Sequence, residues 1–225
     1  MPSSTVENYL KQIYLEQQQH QDDPGALVPM GKLAGVMGVV PGTATSMVKA
    51  LSDSGLVDYE PRGGARLTRG GEQLALHVLR RHRLVELFLV RVLGLDWSEV
   101  HAEAEELEHA ISDKVLERID ALLGRPRVDP HGDPIPSAKG KVSDSPAQSL
   151  ADCEMHRSVR IARVMDQDAP FLHFVNRCGL TPGTNARVEK RDAIAESVIV
   201  KPERRDPVTL GTAAAAKILV EASGS

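Results

Sequence analysis

The stretch Pro29–Thr68, PMGKLAGVMGVVPGTATSMVKALSDSGLVDYEPRGGARLT, decides the fold of the first part of the chain. Its first residues place apolar side chains on one helical face, and Gly38-Val39-Val40 interrupts that pattern. Pro41 then stands at a first-turn position of a second helix, and Gly55 follows its last turn. Two short β-type runs come next, about a Gly63-Gly64 turn. Short helix, turn, helix and hairpin is the order of a winged helix-turn-helix.

The second helix and the hairpin of this stretch carry side chains suited to contact DNA. Small polar groups at a helix start can meet base edges, thymine methyls and phosphates in a major groove. Between Pro29 and Arg69, Lys and Arg outnumber Asp and Glu five to three, although the whole chain has a net charge of -4. The candidate DNA-binding residues are Thr43, Thr45, Ser46, Lys49, Arg62 and Arg66. The alternative is an ordinary exposed helix start.

The length and composition indicate a globular protein of two or three domains, since the chain has 225 residues, 41% hydrophobic and 26% charged. Its two cysteines form neither a disulfide framework nor a CxxC pair, which favours a reduced setting. No apolar run approaches the roughly 20 residues of a membrane span, and the N-terminus lacks a signal-peptide pattern. We therefore expect a cytoplasmic protein with no membrane segment.

The first residues predict a helix from Ser4 to about Gln19. Ser4 and Glu7 have the spacing of a capping box. Apolar residues recur at helical spacing along one stripe, at Val6, Tyr9, Leu10 and Ile13. Asn8 lies just off this stripe. The helix must therefore pack its apolar face against another part of the fold.

Residues 81–113, RHRLVELFLVRVLGLDWSEVHAEAEELEHAISD, concentrate histidine and glutamate. Three helices are expected here, over Arg69–Leu93, Ser98–Ser112 and Asp113–Leu123. Six side chains are candidate metal ligands: His82, Glu86, His101, Glu105, Glu108 and His109. The last four fall within an arc of roughly 100° over about 12 Å of helix, so one face could serve two ions. The alternative is a solvated face with i,i+4 charge pairs.

After the helices the sequence pattern changes twice. A linker rich in Pro and Gly follows, in which Asp129-Pro-His131 is typical of a turn, although both residues could also donate to a metal. From about Leu150 come short β-type runs, HRSVRIARVM, NARVEKR, SVIVKP, PVTLG and AAKILVE, with one helical piece, APFLHFVNRCG. These runs predict a small barrel.

Taken in order, the segments NYLKQIY, LSDSGLV, RRHRLVELFL, VHAEAEELEHAISD, DPHGDPIP and CGLTPGTNARV resemble those of the metal-dependent repressors of the diphtheria toxin repressor and manganese transport regulator type. The resemblance implies an α+β homodimer. It implies a winged helix-turn-helix domain over residues 1–69, a helical dimerisation and metal-binding domain over 70–125, a linker over 126–149 and an SH3-like domain over 150–225.

The same resemblance implies two metal sites. The first would use Asn8, Glu105, Glu108 and His109. The second would use His82, Glu86 and His101 together with Asp129, His131 and Asp166. Family members place Asp or Met where this chain has Asn8, so Glu7 or a water are alternatives for closing the first site. Asp168 is the alternative to Asp166.

Oxygen and imidazole donors without thiolate suit Mn²⁺ or Fe²⁺ over Zn²⁺ or Cu⁺. We therefore expect a manganese-dependent DNA-binding repressor that controls metal-ion homeostasis genes, binds double-stranded operator DNA and is not an enzyme. The alternatives are an iron-dependent repressor, a carboxylate-histidine metalloenzyme and a winged-helix sensor of an organic ligand. The sequence has no HExxH, nucleophile elbow or P-loop, which argues against the enzyme.

Overall fold

The structure is a computed structural model that describes residues 3–19, 26–143 and 147–223. The chain divides into two compact units. The first comprises Met1–His82 and Pro136–Lys141, and the second comprises Arg83–Ile135 and Val142–Ser225. The division does not follow chain order, because a short piece of the linker belongs to the first unit.

Three helices and a hairpin form most of the first unit. The helices are α1 Ser4–Gln18, α2 Met30–Val36 and α3 Pro41–Asp53, and the antiparallel strands are β1 Val57–Glu60 and β2 Gly64–Leu67. A long helix, α4 Arg69–Phe88, begins directly after the hairpin. The predicted winged helix-turn-helix is therefore confirmed.

A close backbone contact fixes the hairpin to the segment before α2. Val28 and Ala65 exchange two backbone hydrogen bonds of 2.8 and 3.0 Å. Gly64 has a φ of +144°, and a Cβ added there would lie 2.4 Å from the Val28 carbonyl oxygen. Only glycine fits this position. The turn itself lies slightly earlier than predicted, because Gly64 already pairs with Glu60.

The apolar stripe of α1 is buried as predicted, with Tyr9, Leu10 and Ile13 almost fully enclosed. The helix packs against α2 and β2. Burial of this stripe accounts for the stability of a helix whose sequence is otherwise polar.

The predicted N-terminal cap of α1 is wrong by one residue. Ser3 is the N-cap, and its Oγ accepts a hydrogen bond from the Val6 N–H at 3.4 Å. Glu7, the other member of the predicted capping box, is buried and lies 3.6 Å from the Arg81 guanidinium in an ion pair.

The helical part of the second unit starts with the last turns of α4. Leu89–Leu93 continue the helix as a π-helical turn, which Gly94 closes in the left-handed conformation at φ +73°. Two further helices follow, α5 Val100–Glu108 and α6 Asp113–Leu122. The predicted helix to Leu93 is therefore present, with a change of helix type at its end.

The second predicted helix, Ser98–Ser112, is shorter at both ends. The Ser98 N–H donates to Asp96 Oδ1 at 2.9 Å, which holds Ser98 in a turn before α5. Ser112 instead caps the next helix, where its Oγ accepts from the Val115 N–H at 3.4 Å. The Asp96 side chain thus binds a backbone group before the start of α5, and the Ser112 side chain binds one in the first turn of α6. Short polar side chains commonly compete with a helix for backbone groups in this way.

The described part of the linker, residues 126–143 and 147, contains no helix and one isolated bridge between Val128 and Pro134, in agreement with the expected irregular backbone. Its first half is nevertheless enclosed, and the buried residues are Asp129, His131, Gly132, Asp133, Ile135 and Pro136. Within the first unit, Arg80 donates to the Pro136 carbonyl at 2.8 Å. Buried linker residues therefore occur in both units.

The C-terminal part of the second unit is an antiparallel sheet with the order β3-β8-β4-β5-β6-β7. Its strands are β3 Gln148–Ser149, β4 Ser158–Val164, β5 Asn185–Asp192, β6 Ser197–Pro202, β7 Val208–Gly211 and β8 Ile218–Ala222. The helix α7, Ala169–Cys178, follows β4, and bulges in β4 and β5 bend the sheet. Alternate residues of β6 face the core.

One predicted strand begins later than expected. The run AAKILVE starts as a short helix, α8 Thr212–Ala216, and becomes strand only at Ile218. Four consecutive alanines favour helix, and the branched residues after Lys217 favour strand. The α+β fold class is confirmed. Across residues 3–19, 26–143 and 147–223, no helix is both long and apolar enough to cross a membrane.

Candidate functional site

Glu86 lies at the centre of the candidate metal site. It is buried in α4, one helical turn after His82, which is also buried. Its Oε1 lies 3.2 Å from Nδ1 of His101 on α5, and its Oε2 lies 3.8 Å from Nδ1 of His131 in the linker. A buried carboxylate is costly to charge unless positive groups face it, so this cluster has the electrostatics of a cation site.

Asp129 and His131 belong to a tight turn of the linker. Asp129 Oδ1 accepts hydrogen bonds from the backbone N–H groups of His131, at 2.8 Å, and of Asp133, at 2.9 Å. Gly132 adopts a φ of +89°, and a Cβ there would lie 2.0 Å from the Ala162 carbonyl oxygen on β4. The turn and the metal interpretation of this motif are therefore compatible, because the turn uses one carboxylate oxygen and leaves Oδ2.

The tautomer of His131 is set by a backbone carbonyl. His131 Nε2 lies 2.8 Å from the oxygen of Trp97, which can only accept, so Nε2 carries the hydrogen. In a neutral ring the other nitrogen, Nδ1, is then an acceptor. Nδ1 is buried and has no hydrogen-bond partner among the described residues. Such a second hydrogen bond commonly orients a histidine that binds a metal.

Three buried atoms meet at this point. Glu86, Asp129 and His131 each offer one ligand atom, and the three atoms lie within 4.8 Å of one another. Asp129 Oδ2, like His131 Nδ1, has no hydrogen-bond partner in the described part of the chain. Two carboxylates and one imidazole, enclosed and facing each other, fit a divalent cation that prefers hard donors.

Burial, followed by the charges of Asp133 and Glu86, holds the pKa of Asp129 well above its usual range. The guanidinium of Arg83 opposes this effect, with Nε 3.6 Å from Asp129 Oδ2. A bound cation would stabilise the ionised carboxylate more directly. Without a cation, the ionised form of Asp129 is therefore disfavoured, as is expected for a buried carboxylate that binds a cation.

Arg83 and Asp133 support the turn from outside. Arg83 donates to the Pro134 carbonyl at 2.5 Å, and its Nη2 lies 3.5 Å from Asp133 Oδ1. Asp133 also pairs with Arg163 and accepts a hydrogen bond from Gln167 at 2.6 Å. These contacts connect α4, the linker and the C-terminal sheet within the second unit.

The other predicted cluster lies on α5. Glu108 is fully buried, with Oε1 at 3.3 Å from Nε2 of His109, while Glu105 is half-exposed. Glu105 Oε1 lies 3.8 Å from Nε2 of His101. His101 thus stands between Glu86 and Glu105. His101, Glu105 and Glu108 lie in α5, and His109 is its C-cap.

The predicted closing ligand of this cluster, Asn8, is half-buried on α1 in the first unit. The alternative ligand Glu7 is buried in its ion pair with Arg81. Arg81 also contacts the half-buried His77, whose Nε2 lies 3.2 Å from the guanidinium. Glu7 is therefore engaged in holding α1 to α4.

Asp166 lies outside the buried ligand group. Its Oδ2 accepts from Lys217 at 2.6 Å and its Oδ1 from the Asp168 N–H at 3.0 Å. Burial works to raise the pKa of Asp166, but these hydrogen bonds and the Lys217 charge outweigh it and lower the pKa. Asp168, the alternative, is the exposed N-cap of α7.

The predicted DNA-binding residues of α3 face solvent. Thr43, Ser46 and Lys49 are exposed and Thr45 is half-buried. The hydroxyl groups of Thr45 and Ser46 donate to the carbonyls of Pro41, at 2.8 Å, and Gly42, at 2.9 Å. Their oxygens are left as acceptors, a role that suits the amino groups of adenine and cytosine.

The two arginines of the hairpin differ. Arg62 is exposed in the turn at a φ of +68°. Arg66 stands opposite Asp58 in the hairpin, and its Nε lies 3.2 Å from Asp58 Oδ2. An acidic partner offsets the positive charge of Arg66.

Trp97, Arg83 and Asp133 are the site residues that sequence reasoning missed. Trp97 acts through a backbone oxygen, which leaves no signal in a side-chain pattern. Asp133 had a signal, because Asp129, His131 and Asp133 alternate through the linker motif.

Known protein families match the chain in the predicted order. The N-terminal DNA binding domain of the iron dependent repressors matches residues 1–65, and the metal binding and dimerisation domain of these repressors matches residues 68–137. The FeoA domain matches residues 148–222. These matches confirm the predicted order of a DNA-binding domain, a helical dimerisation domain and an SH3-like domain.

Full-length relatives agree. The iron-dependent repressor of Mycobacterium leprae is 31% identical in an alignment 229 residues long, gaps included, which covers 96% of this chain and 96% of that protein. The diphtheria toxin repressor of Corynebacterium glutamicum is 34% identical over 195 residues, 82% of this chain and 83% of its own length. A solved manganese-dependent transcriptional repressor in complex with manganese is 40% identical and has a TM-score of 0.85, covering 97% of this chain and 100% of that chain. The chain therefore belongs to the family of metal-dependent transcriptional repressors that includes iron-dependent, diphtheria toxin and manganese-dependent repressors.

Proposed function

We propose that this chain is a cytoplasmic, manganese-dependent repressor that binds double-stranded operator DNA as a homodimer and controls metal-ion homeostasis genes. The role is regulatory, without catalysis. The observation that carries the proposal is the buried donor set of Glu86, Asp129 and His131, two carboxylates and one imidazole with no sulfur.

The donor set favours manganese on chemical grounds. Carboxylate oxygens select hard divalent ions, whereas thiolates select zinc and copper. Both cysteines of the chain, Cys153 and Cys178, are buried in the core of the C-terminal sheet. An iron-dependent repressor is the second candidate, because the same donors suit Fe²⁺ and the Mycobacterium leprae relative is named for iron.

The ligands of the first cluster would connect the DNA-binding part to the helical part. A bound divalent cation supplies the positive charge that offsets Glu105 and Glu108. Asn8, as the proposed closing ligand, would then tie α1 to α5. His82, Glu86, His101 and the linker turn would form the second site, to which Asp166 is the proposed further contributor.

Metal control of DNA binding follows from fixing the recognition helices. Two such helices must lie about 34 Å apart on a palindromic operator. Ligands that order α1 and α4 reduce the freedom of α3, which is carried by the same domain. The resulting coupling between metal and DNA is commonly about 1 to 3 kcal/mol, and by linkage DNA must tighten metal binding by the same amount.

The homodimer is supported by apolar side chains of the helical part. Several are exposed to solvent in the single chain, namely Val92, Leu93, Leu107, Val115 and Leu122. Exposed apolar residues gathered on one part of a protein mark interaction surfaces. A second copy of the chain is the proposed partner, because this region matches a dimerisation domain.

The function is tested by operator-binding titrations with Mn²⁺, Fe²⁺, Zn²⁺ and Co²⁺ at fixed salt, on a duplex selected from a randomised pool. We expect Mn²⁺ or Fe²⁺ to raise affinity most. His109→Ala should abolish metal-dependent binding and leave the dimer intact, whereas His156→Ala, an exposed histidine of the C-terminal part, should behave as wild type. Equal anisotropy curves with and without metal would contradict the proposal.

A further inference from the structure

The loop between the π-helical turn and α5 contacts both the candidate metal site and the C-terminal domain. At its centre, the Trp97 carbonyl accepts from His131 Nε2 at 2.8 Å. The indole also lies beside the imidazole, with ring centroids 5.5 Å apart and planes inclined by 35°. Backbone and side chain of one residue thus both bear on the orientation of His131.

The Trp97 side chain also contacts the C-terminal domain. It packs against the core of the C-terminal sheet, as Phe171 and Phe174 of α7 do. The position of its carbonyl oxygen therefore depends on how the C-terminal domain is packed against the loop.

A polar chain holds the same loop to α7. Ser98 is buried, and its Oγ donates to Asp96, so the Ser98 oxygen is left to accept from Nδ1–H of His173 at 3.2 Å. The hydrogen bonds from Ser98 lower the pKa of Asp96, with a smaller contribution from the His173 charge. The ionised carboxylate therefore supports the serine–histidine contact.

From these contacts we infer that Trp97 and His173 are positioning residues, through which the C-terminal domain keeps His131 in the tautomer that presents Nδ1 to a divalent cation. The inference rests on the proposed metal site and adds a source for its affinity. Removing a group that orients a metal-binding histidine commonly weakens binding by about 10- to 100-fold.

The first test measures Mn²⁺ affinity from the free Mn²⁺ signal in electron paramagnetic resonance. Trp97→Ala should weaken the His131-dependent site by about 10- to 100-fold, and His173→Ala should weaken it by a smaller factor. Both variants keep the backbone carbonyl of residue 97, but Trp97→Phe also keeps an aromatic ring to pack on the C-terminal core, so it should bind close to wild type. Wild-type affinity in both alanine variants, or equal losses in Trp97→Phe and Trp97→Ala, would overturn the inference.

The second test reads the tautomer directly. In chelator-treated protein with ¹⁵N-labelled histidine, His131 should show a protonated Nε2 and a bare Nδ1, with its signals assigned by their absence in His131→Ala. His173→Ala should shift His131 towards a mixture of tautomers. This variant also carries the test if Trp97→Ala does not fold. An unchanged tautomer would overturn the inference, since a purely structural role of His173 would leave it unmoved.

The third test uses the single tryptophan of the chain. Mn²⁺ should change Trp97 emission in wild type and in His109→Ala, and His131→Ala should lose that change. Absence of saturable Mn²⁺ binding in wild type would overturn the proposed function as well. Mn²⁺ binding that is lost in His131→Ala but unchanged in Trp97→Ala and His173→Ala would overturn this inference and leave the proposed function standing.

Discussion

Arg62 and Arg66 lie in the same hairpin but present different net charges to solvent. Asp58 lies beside Arg66, whereas Arg62 is exposed in the turn. Arg62→Ala should therefore weaken operator binding and reduce the salt slope by about 1, because one phosphate contact is lost. Arg66→Ala should have a smaller effect on both. Anisotropy titrations over a range of salt concentrations measure the two quantities.

The matched control for these variants is Arg157→Ala, an exposed arginine of the C-terminal part that is paired with Glu154. It should leave the slope unchanged. A larger salt-slope change for Arg66→Ala than for Arg62→Ala would mean that Asp58 does not offset the Arg66 charge on DNA.

The Glu7–Arg81 pair makes a second prediction for single residues. Both side chains are buried, and their charged groups lie 3.6 Å apart. Glu7→Gln removes one charge of this buried ion pair, so we expect a loss of about 3 kcal/mol in the free energy of unfolding. Urea denaturation measures it. Glu154→Gln, which breaks an exposed pair, should show no measurable change, and equal stability of the two variants would contradict the prediction.

At the scale of elements, local signals predicted most helices and strands. The apolar stripe of α1, the Pro41 start of α3 and the alternation of β6 each depend on neighbours in sequence. The errors occur where distant contacts decide. Glu7 of the predicted capping box pairs with the distant Arg81, and the two-residue strand β3 exists only through its pairing with β8.

The linker turn provides a prediction for an element. Gly132 and Gly183 have nearly the same φ, +89° and +90°, but a Cβ at Gly132 would lie 2.0 Å from a backbone oxygen, whereas nothing lies within 4 Å of one at Gly183. Gly132→Ala should therefore destabilise the protein more than Gly183→Ala and should also weaken Mn²⁺ binding. Thermal unfolding and calorimetry compare them. Equal losses of stability in the two variants would contradict this prediction, because they would show that the positive φ, and not the contact at Gly132, determines the loss.

At the scale of the whole molecule, the sequence named the candidate ligands but missed the residues that support them. Residue type and spacing made His101 and Glu86 candidates, and the resemblance to the repressor family joined Asp129 and His131 to them. In the structure Glu86 lies beside His101 and beside Asp129 and His131, and their binding of a metal stays a prediction. Trp97 could not be predicted, because its carbonyl reaches His131 across 34 positions of sequence. Asp166 remains a prediction, with Lys217 as its present partner.

Metal removal should change the stability of the whole molecule. A ligand that binds only the folded state stabilises it by about 2.7 kcal/mol at a concentration of 100 Kd. We expect Mn²⁺ to raise the unfolding midpoint and excess chelator to reverse the rise. The rise should be smaller in His131→Ala, because Mn²⁺ can no longer stabilise the protein through the buried site. Differential scanning calorimetry measures the difference. An equal metal-dependent rise in His131→Ala would contradict a role for that site.

The return of Pro136–Lys141 to the first unit has a consequence for biosynthesis. Arg80 in the first unit donates to the Pro136 carbonyl, and the sequence between them includes α5, α6 and the linker turn of Asp129 and His131. During translation, the first unit therefore completes its packing only after the ribosome has made residue 141. A fragment intended to isolate that unit must extend past the helical domain, since one ending at Ile135 omits its last segment.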